Sequence, residues 1–197
     1  MGGCCLESKM TVLIRRKRSP EQDAIWCVHQ AAFNGDAEAK LVRNLRQGGF
    51  VEVSLVAEAE GEIVGHILFS RITIKTSAGN VSALSLAPMA VLPSYQQQRI
   101  GSNLLKLGLA TCRVFRHRIV LVPGSQKYFQ HFGFSSELAQ TLQSPFGSGE
   151  TWMALELVPG ALAGVEGIVK HSPPFDLFKR EKAAYAEQKV RPHQGIR

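Results

Sequence analysis

The residues from Leu92 to Gly101 could do chemistry because of where they stand. Leu92-Pro93-Ser94-Tyr95 leads into Gln96-Gln97-Gln98-Arg99-Ile100-Gly101, a polar loop that runs into an apolar-faced helical pattern. A helix start offers unpaired backbone N–H groups and a partial positive charge, and both suit a phosphate. Taken alone, the spacing is compatible with an anion site and equally with an ordinary strand–loop–helix connection. His66 lies in a strand pattern and titrates in the range useful to a general base, although a lone strand histidine is more often structural. Glu58 and His131 are weaker candidates for that role. The four cysteines, Cys4, Cys5, Cys27 and Cys112, have neither metal-ligand spacing nor the pattern of a disulfide framework. They fit a reducing, cytoplasmic setting with no metal. Cys112 falls on the apolar side of its helix and is expected in the core.

The elements that would position these groups are legible from periodicity. Thr11–Lys17 alternates as a first strand, and Ser19-Pro20 reads as the start of a helix with Ser19 as its cap. Asp36 is expected to cap a second helix that ends at Gly48-Gly49. Ser54–Ala59 and Ile63–Phe69, joined across Glu60-Gly61-Glu62, predict a hairpin whose second strand extends toward Ile74. A fourth strand, about Ala83–Val91, contains Pro88, which predicts an edge or a bulge. Ile100, Leu104, Leu105, Gly108, Leu109, Cys112 and Phe115 give the next helix a broad apolar face. Ile119–Val122 reads as a buried strand, Gln126–Phe132 as a short helix, and Thr151–Leu157 as a late strand. Strands interleaved with helices predict an α/β (α+β) fold, a mixed sheet with flanking helices.

The chain has 197 residues, 45% of them hydrophobic, enough for one domain with a real core. Residues 1–10 are expected to be a disordered N-terminal extension, 11–160 the folded domain, and 161–197 a C-terminal extension with a basic tail. Part of the net charge of +7 lies in Arg15–Arg18 and in the last stretch from Lys179. A basic surface attracts polyanions, but no zinc-finger, RNP-like or helix-turn-helix signature supports specific nucleic-acid binding. No run approaches the ~18 apolar residues of a membrane span, so no membrane association is expected.

The segment Leu86–Leu105 resembles the acetyl-CoA motif of the GNAT acetyltransferases, closest in pattern to their bacterial YhbS-like subgroup. Val64–Ser70 upstream and Tyr128–Phe134 downstream match in the same order and spacing, and the resemblance covers roughly residues 11–160. It implies a mostly antiparallel sheet splayed between strands four and five, with the pantetheine arm of acetyl-CoA in the gap. It further implies that backbone groups near Met89, Ala90 and Val91 hold the arm. The loop and helix start, Gln96, Gln97, Gln98, Arg99, Ile100, Gly101 and Ser102, would cradle the pyrophosphate. The acceptor would be the amine of a small molecule or peptide, attacked in a ternary complex, and the family admits a homodimer. His66 is the expected general base and Tyr128 a candidate catalytic residue.

Two features depart from the family pattern, the loop and the proton donor. The loop normally has glycine where Arg99 stands, and relatives often have it at Gln97, because glycine permits unusual φ and close approach to phosphate. The usual proton-donating tyrosine is replaced by Phe129. Tyr128 is adjacent, but one helical residue turns a side chain by about 100°. Tyr128 therefore substitutes only with local rearrangement; the alternative is a packing residue with its hydroxyl at the surface. These departures support an alternative reading, a degenerate domain that binds CoA or a partner without efficient catalysis.

Overall fold

The computed structural model describes residues 11–190, and the expected N-terminal extension lies outside the described residues. The chain begins with β1 (Val12–Arg16), followed by α1 (Gln22–Phe33) and α2 (Ala37–Gln47). A long meander follows: β2 (Val51–Ala59), β3 (Glu62–Thr76) and β4 (Gly79–Val91). Then come α3 (Ile100–Val114), β5 (Ile119–Pro123) and the single turn α4 (Gln126–Phe129). The chain continues through β6 (Leu142–Gln143), β7 (Trp152–Glu156), β8 (Gly167–Lys170) and α5 (Pro174–Val190).

The first helix starts later than the sequence predicts. Ser19–Glu21 forms a separate 3-10 turn because the Glu21 carboxylate accepts from the Arg18 backbone N–H at 2.6 Å and also pairs with Arg15. Ser19 therefore caps nothing. Asp36 makes no side-chain cap bond either; it pairs with Lys40 one helical turn on, at 3.1 Å.

The sheet runs β1-β2-β3-β4-β5-β7, and its first four strands are mutually antiparallel. Glu60 and Gly61, at φ 52° and 85°, make the tight turn between β2 and β3. Pro88 has no N–H to give to the ladder, and the β3–β4 register jumps there from Ile67↔Met89 to Phe69↔Leu86. On its other side β4 pairs with β5 in parallel, but only at Leu84↔Val120 and Ser85↔Leu121. Beyond Ser85 the two strands part, so Met89–Val91 border an opening.

Two faces cover the sheet. Helix α3 lies on one, burying Leu104, Leu105 and Cys112 against Ile67 and Phe69. Full burial of each leucine contributes about 1.5–3 kcal/mol. The approach is close at Gly108, where a Cβ would stand 2.5 Å from the Phe69 ring. Helices α1 and α2 lie on the other face, with Ile25, Leu41 and Leu45 against Val56 and Leu68.

The segment after residue 160 is built into this fold up to at least α5. Strand β8 pairs with β3 through Ile74↔Val169, and Phe175 of α5 is buried beside Val42 and Leu68. Lys182 pairs with the buried Glu38 of α2 at 2.6 Å. The sequence pattern missed β6 and β8 because each is too short to show a period. The last seven residues of the expected basic tail lie outside the described residues.

Candidate active site

A pocket of 480 Å³ opens where β4 leaves β5, between the end of β4, the loop that follows it, and the first turn of α3. Met89, Ala90 and Val91 form one wall; Gln96, Gln97, Arg99, Ile100, Gly101 and Ser102 form another; Tyr95 and Tyr128 close it. Of the predicted loop residues only Gln98 stands outside, with its amide on the Ser94 carbonyl at 3.3 Å. Tyr95 was not singled out by the sequence reading, and its only signal is an aromatic residue directly before the loop.

Backbone alternation decides which groups of β4 face the opening. The Leu92 N–H bonds to the Val64 carbonyl of β3 at 2.9 Å. Polar groups of alternate residues point to opposite edges of a strand, so those of Ala90 also turn to β3 and those of Met89 and Val91 to the gap. Consistent with this, the Val91 carbonyl accepts from the Gln96 side chain at 3.0 Å.

The loop adopts the backbone that glycine would supply, without glycine. Gln97 and Arg99 have φ of 62° and 61°, and Arg99 sits at the cap position of α3 in the left-handed region. Such a conformation costs a residue with a Cβ roughly 1–2 kcal/mol. The α3 N-terminus therefore keeps its free amides at the pocket, and Arg99 is the one charged side chain in the lining.

Tyr128 departs from the alternative of a surface hydroxyl. Its ring is half-buried in the pocket, and a Cβ placed on Gly101 would lie 3.4 Å from its hydroxyl oxygen. Burial raises its pKa above the usual phenol value, and the neighbouring Ser102 hydroxyl works the other way. Phe129 instead points into the core, beside Phe134 at 5.5 Å between ring centroids and close over Gly124. Because α4 is a single turn, seating Phe129 inward swings the preceding residue toward the pocket.

His66 does not border the cleft as expected; its ring is fully buried and absent from the pocket lining. It is paired across the ladder with Ala90, on the face covered by α1 and α2. Its Nδ1 stands 2.7 Å from His29 Nε2, and its Nε2 lies 2.9 Å from Ser54 Oγ and 3.2 Å from Arg46 Nη2. A guanidinium only donates, so the contact with Arg46 makes His66 Nε2 an acceptor and places its proton on Nδ1. His29 Nε2 then accepts that proton's bond, which leaves the His29 proton on Nδ1, a buried atom with no partner. Burial, reinforced by Arg46, holds His29 at a pKa of about 3 and His66 well below the ordinary histidine value. Of the weaker candidates, Glu58 pairs with Arg15 and His131 is exposed; neither lines the pocket. Cys112 is core as expected, its thiol pushed up to about 12 by burial. No group of three or more metal-ligating side chains occurs among the described residues, and no helix there is long and apolar enough to cross a membrane.

A sheet that parts beside a helix N-terminus agrees with what comparison finds. A family model described as the acetyltransferase (GNAT) domain matches residues 51–136. The chain belongs to the GNAT family of N-acetyltransferases. It is 30% identical over 169 residues to the uncharacterized N-acetyltransferase YhbS of Escherichia coli (strain K12), covering 85% of this chain and 100% of that one. The crystal structure of E. coli YhbS in complex with CoA superposes with a TM-score of 0.78 at 28% identity, over 85% of this chain and 93% of that one. A GNAT family acetyltransferase from Brucella melitensis in complex with acetyl-CoA gives 0.71 at 29% identity, over 84% and 99%.

Proposed function

We propose that the protein transfers acetyl from acetyl-CoA to a primary amine by direct attack in a ternary complex. The observation that carries this reading is the pocket at the parting of β4 and β5, with the α3 N-terminus on one side and free strand backbone on the other. The resident cosubstrate would lie with its pyrophosphate on the amides from Gln97 to Ser102 and on Arg99. Its pantetheine arm would run along the gap edge of Met89 and Val91. The amine nitrogen forms a bond to the thioester carbonyl carbon, and backbone N–H groups of the gap edge stabilise the oxyanion that develops. Collapse breaks the C–S bond. The Tyr128 hydroxyl supplies the proton that the departing sulfur takes up, the acetylated nitrogen loses its own proton to solvent, and solvent returns a proton to the Tyr128 phenolate. Fully buried behind Ala90, His66 enters this reading as a residue that positions the strand, without touching the amine.

The test is a calorimetric titration of the purified protein with acetyl-CoA beside an Arg99→Gly variant, followed by CoA release across a panel of small amines and peptides. Binding by the wild type, weakened several-fold in the variant, is expected from loss of the pocket's one cation. Binding with no CoA release from any amine would favour the alternative, a CoA-binding domain without efficient turnover, for which Phe129 is the supporting feature. Absence of binding in both proteins overturns the proposal.

A further inference from the structure

A second cleft, of 510 Å³, lies at the far end of β1 and β2 and shares no residue with the pocket beside α3. Arg46 reaches into it from the last turn of α2, next to Lys17, with Ser54 alongside. The guanidinium is only partly engaged. Nη2 makes both of its contacts, to Ser54 Oγ and His66 Nε2, while Nε and Nη1 have no protein partner among the described residues. Neither of those two nitrogens is among the enclosed polar atoms, and Arg46 borders both this cleft and a smaller one of 280 Å³ that also holds Asp23.

The charges around this cleft do not balance. Burial lowers the pKa of Arg46 to about 10, and Lys17 is lowered by burial and then by the facing Arg46. One carboxylate, Glu52, lines the cleft, and Glu21 partly offsets the charge of both Lys17 and Arg46 from outside the lining, but both carboxylates hold other partners. Glu21 holds Arg15 and the Arg18 amide, and Glu52 holds Arg71 at 3.1 Å and faces His117 at 3.6 Å. Three cationic side chains, Arg16, Lys17 and Arg46, thus share the lining with a single carboxylate that is already paired with Arg71, an imbalance that an oxyanion would offset. The open edge of a guanidinium matches the paired oxygens of a carboxylate or phosphate, and its geometry is fixed because Nη2 is already held by the sheet.

We propose that Arg46 and Lys17 form a binding site for a small oxyanion, a carboxylate or a phosphate group, separate from the cofactor pocket. This goes beyond the acetyl-transfer reading and does not depend on it.

The experiment is calorimetric titration of the full chain, kept in saturating CoA, with inorganic phosphate and separately with acetate, at ionic strength held constant with sodium chloride. Saturable binding of one or both is expected, and the arm that binds identifies the oxyanion class. Arg46→Lys keeps the charge and loses the fork, so it should weaken binding about tenfold. Lys17→Met, which leaves the buried contacts of Arg46 intact, should weaken it several-fold and decides the matter if the Arg46 variant does not fold. No saturable binding of either anion in the presence of CoA, or unchanged binding in both variants, would overturn the proposal.

Discussion

His29 Nε2 and His66 Nδ1 stand 2.7 Å apart with no exposed surface on either ring. Both imidazoles are neutral in the folded state, because burial and the nearby Arg46 disfavour the cation. In the unfolded chain each would protonate near the ordinary histidine value of about 6.5. Below that pH the unfolded state binds more protons, so stability must fall as pH falls. His171, held at about 4 by burial, adds to the effect. Stability is therefore fully present above about pH 7 and is lost below about pH 6.5, down to about 4 for His171 and about 3 for His29, at up to about 1.4 kcal/mol per pH unit for each histidine. Urea melts at pH 7, 6 and 5 measure the slope, and His29→Gln should reduce it by one proton. A stability flat from pH 7 to 5 would contradict neutral burial of the pair.

Tyr128→Phe tests the proton donor separately from the fold. The ring remains in place between Phe129 and Phe132, at centroid distances of 5.0 and 5.3 Å, so the melting temperature should hardly move. Loss of a positioned acid costs typically about 10²-fold or more, less here because a thiol is a tolerable leaving group. About tenfold in kcat, with KM for acetyl-CoA within about twofold, is the expected outcome. An unchanged kcat with a raised KM would make Tyr128 a wall of the pocket and nothing more.

Two glycines of α3 should respond oppositely to alanine. At Gly101 the new methyl would lie 3.4 Å from the Tyr128 hydroxyl and 3.8 Å from Met89 Cε, a contact the free protein accepts. Gly101→Ala should gain up to about 1 kcal/mol of helix stability and weaken acetyl-CoA binding several-fold by filling the pocket. At Gly108 the methyl would stand 2.5 Å from Phe69, whose ring is completely enclosed and has nowhere to retreat. Gly108→Ala should cost about 1–3 kcal/mol in spite of alanine's better propensity. Denaturant midpoints and an acetyl-CoA titration on the same two variants decide both.

Much of this was legible before any coordinates. The meander across Glu60-Gly61, the apolar face of α3 and the interruption at Pro88 are local signals, each set by residues a few positions apart. Of the loop residues expected to cradle the pyrophosphate, all except Gln98 line the pocket. What misled was orientation. His66, expected at the cleft, is enclosed behind the sheet, while Tyr128, one residue from the expected position of the donor, lines the pocket. Periodicity gives the face of an element and not what covers it.

The sequence by itself determined the element order from β1 to α4, the resemblance to the family and the strand–loop–helix junction that could receive a phosphate. The elements follow from period and turn residues, which act over one or two turns of chain, and the family from the resemblance of three motif blocks in order. Only the tertiary structure decided that β4 and β5 part after Ser85, that Phe129 takes the core and leaves Tyr128 to the pocket, and that His66 meets a histidine 37 residues away. It also decided that β8 and α5 close the fold rather than trail from it. Such contacts join segments distant along the chain. Packing at close to crystalline density admits one seating for each side chain, and which seating wins depends on neighbours that no local window contains.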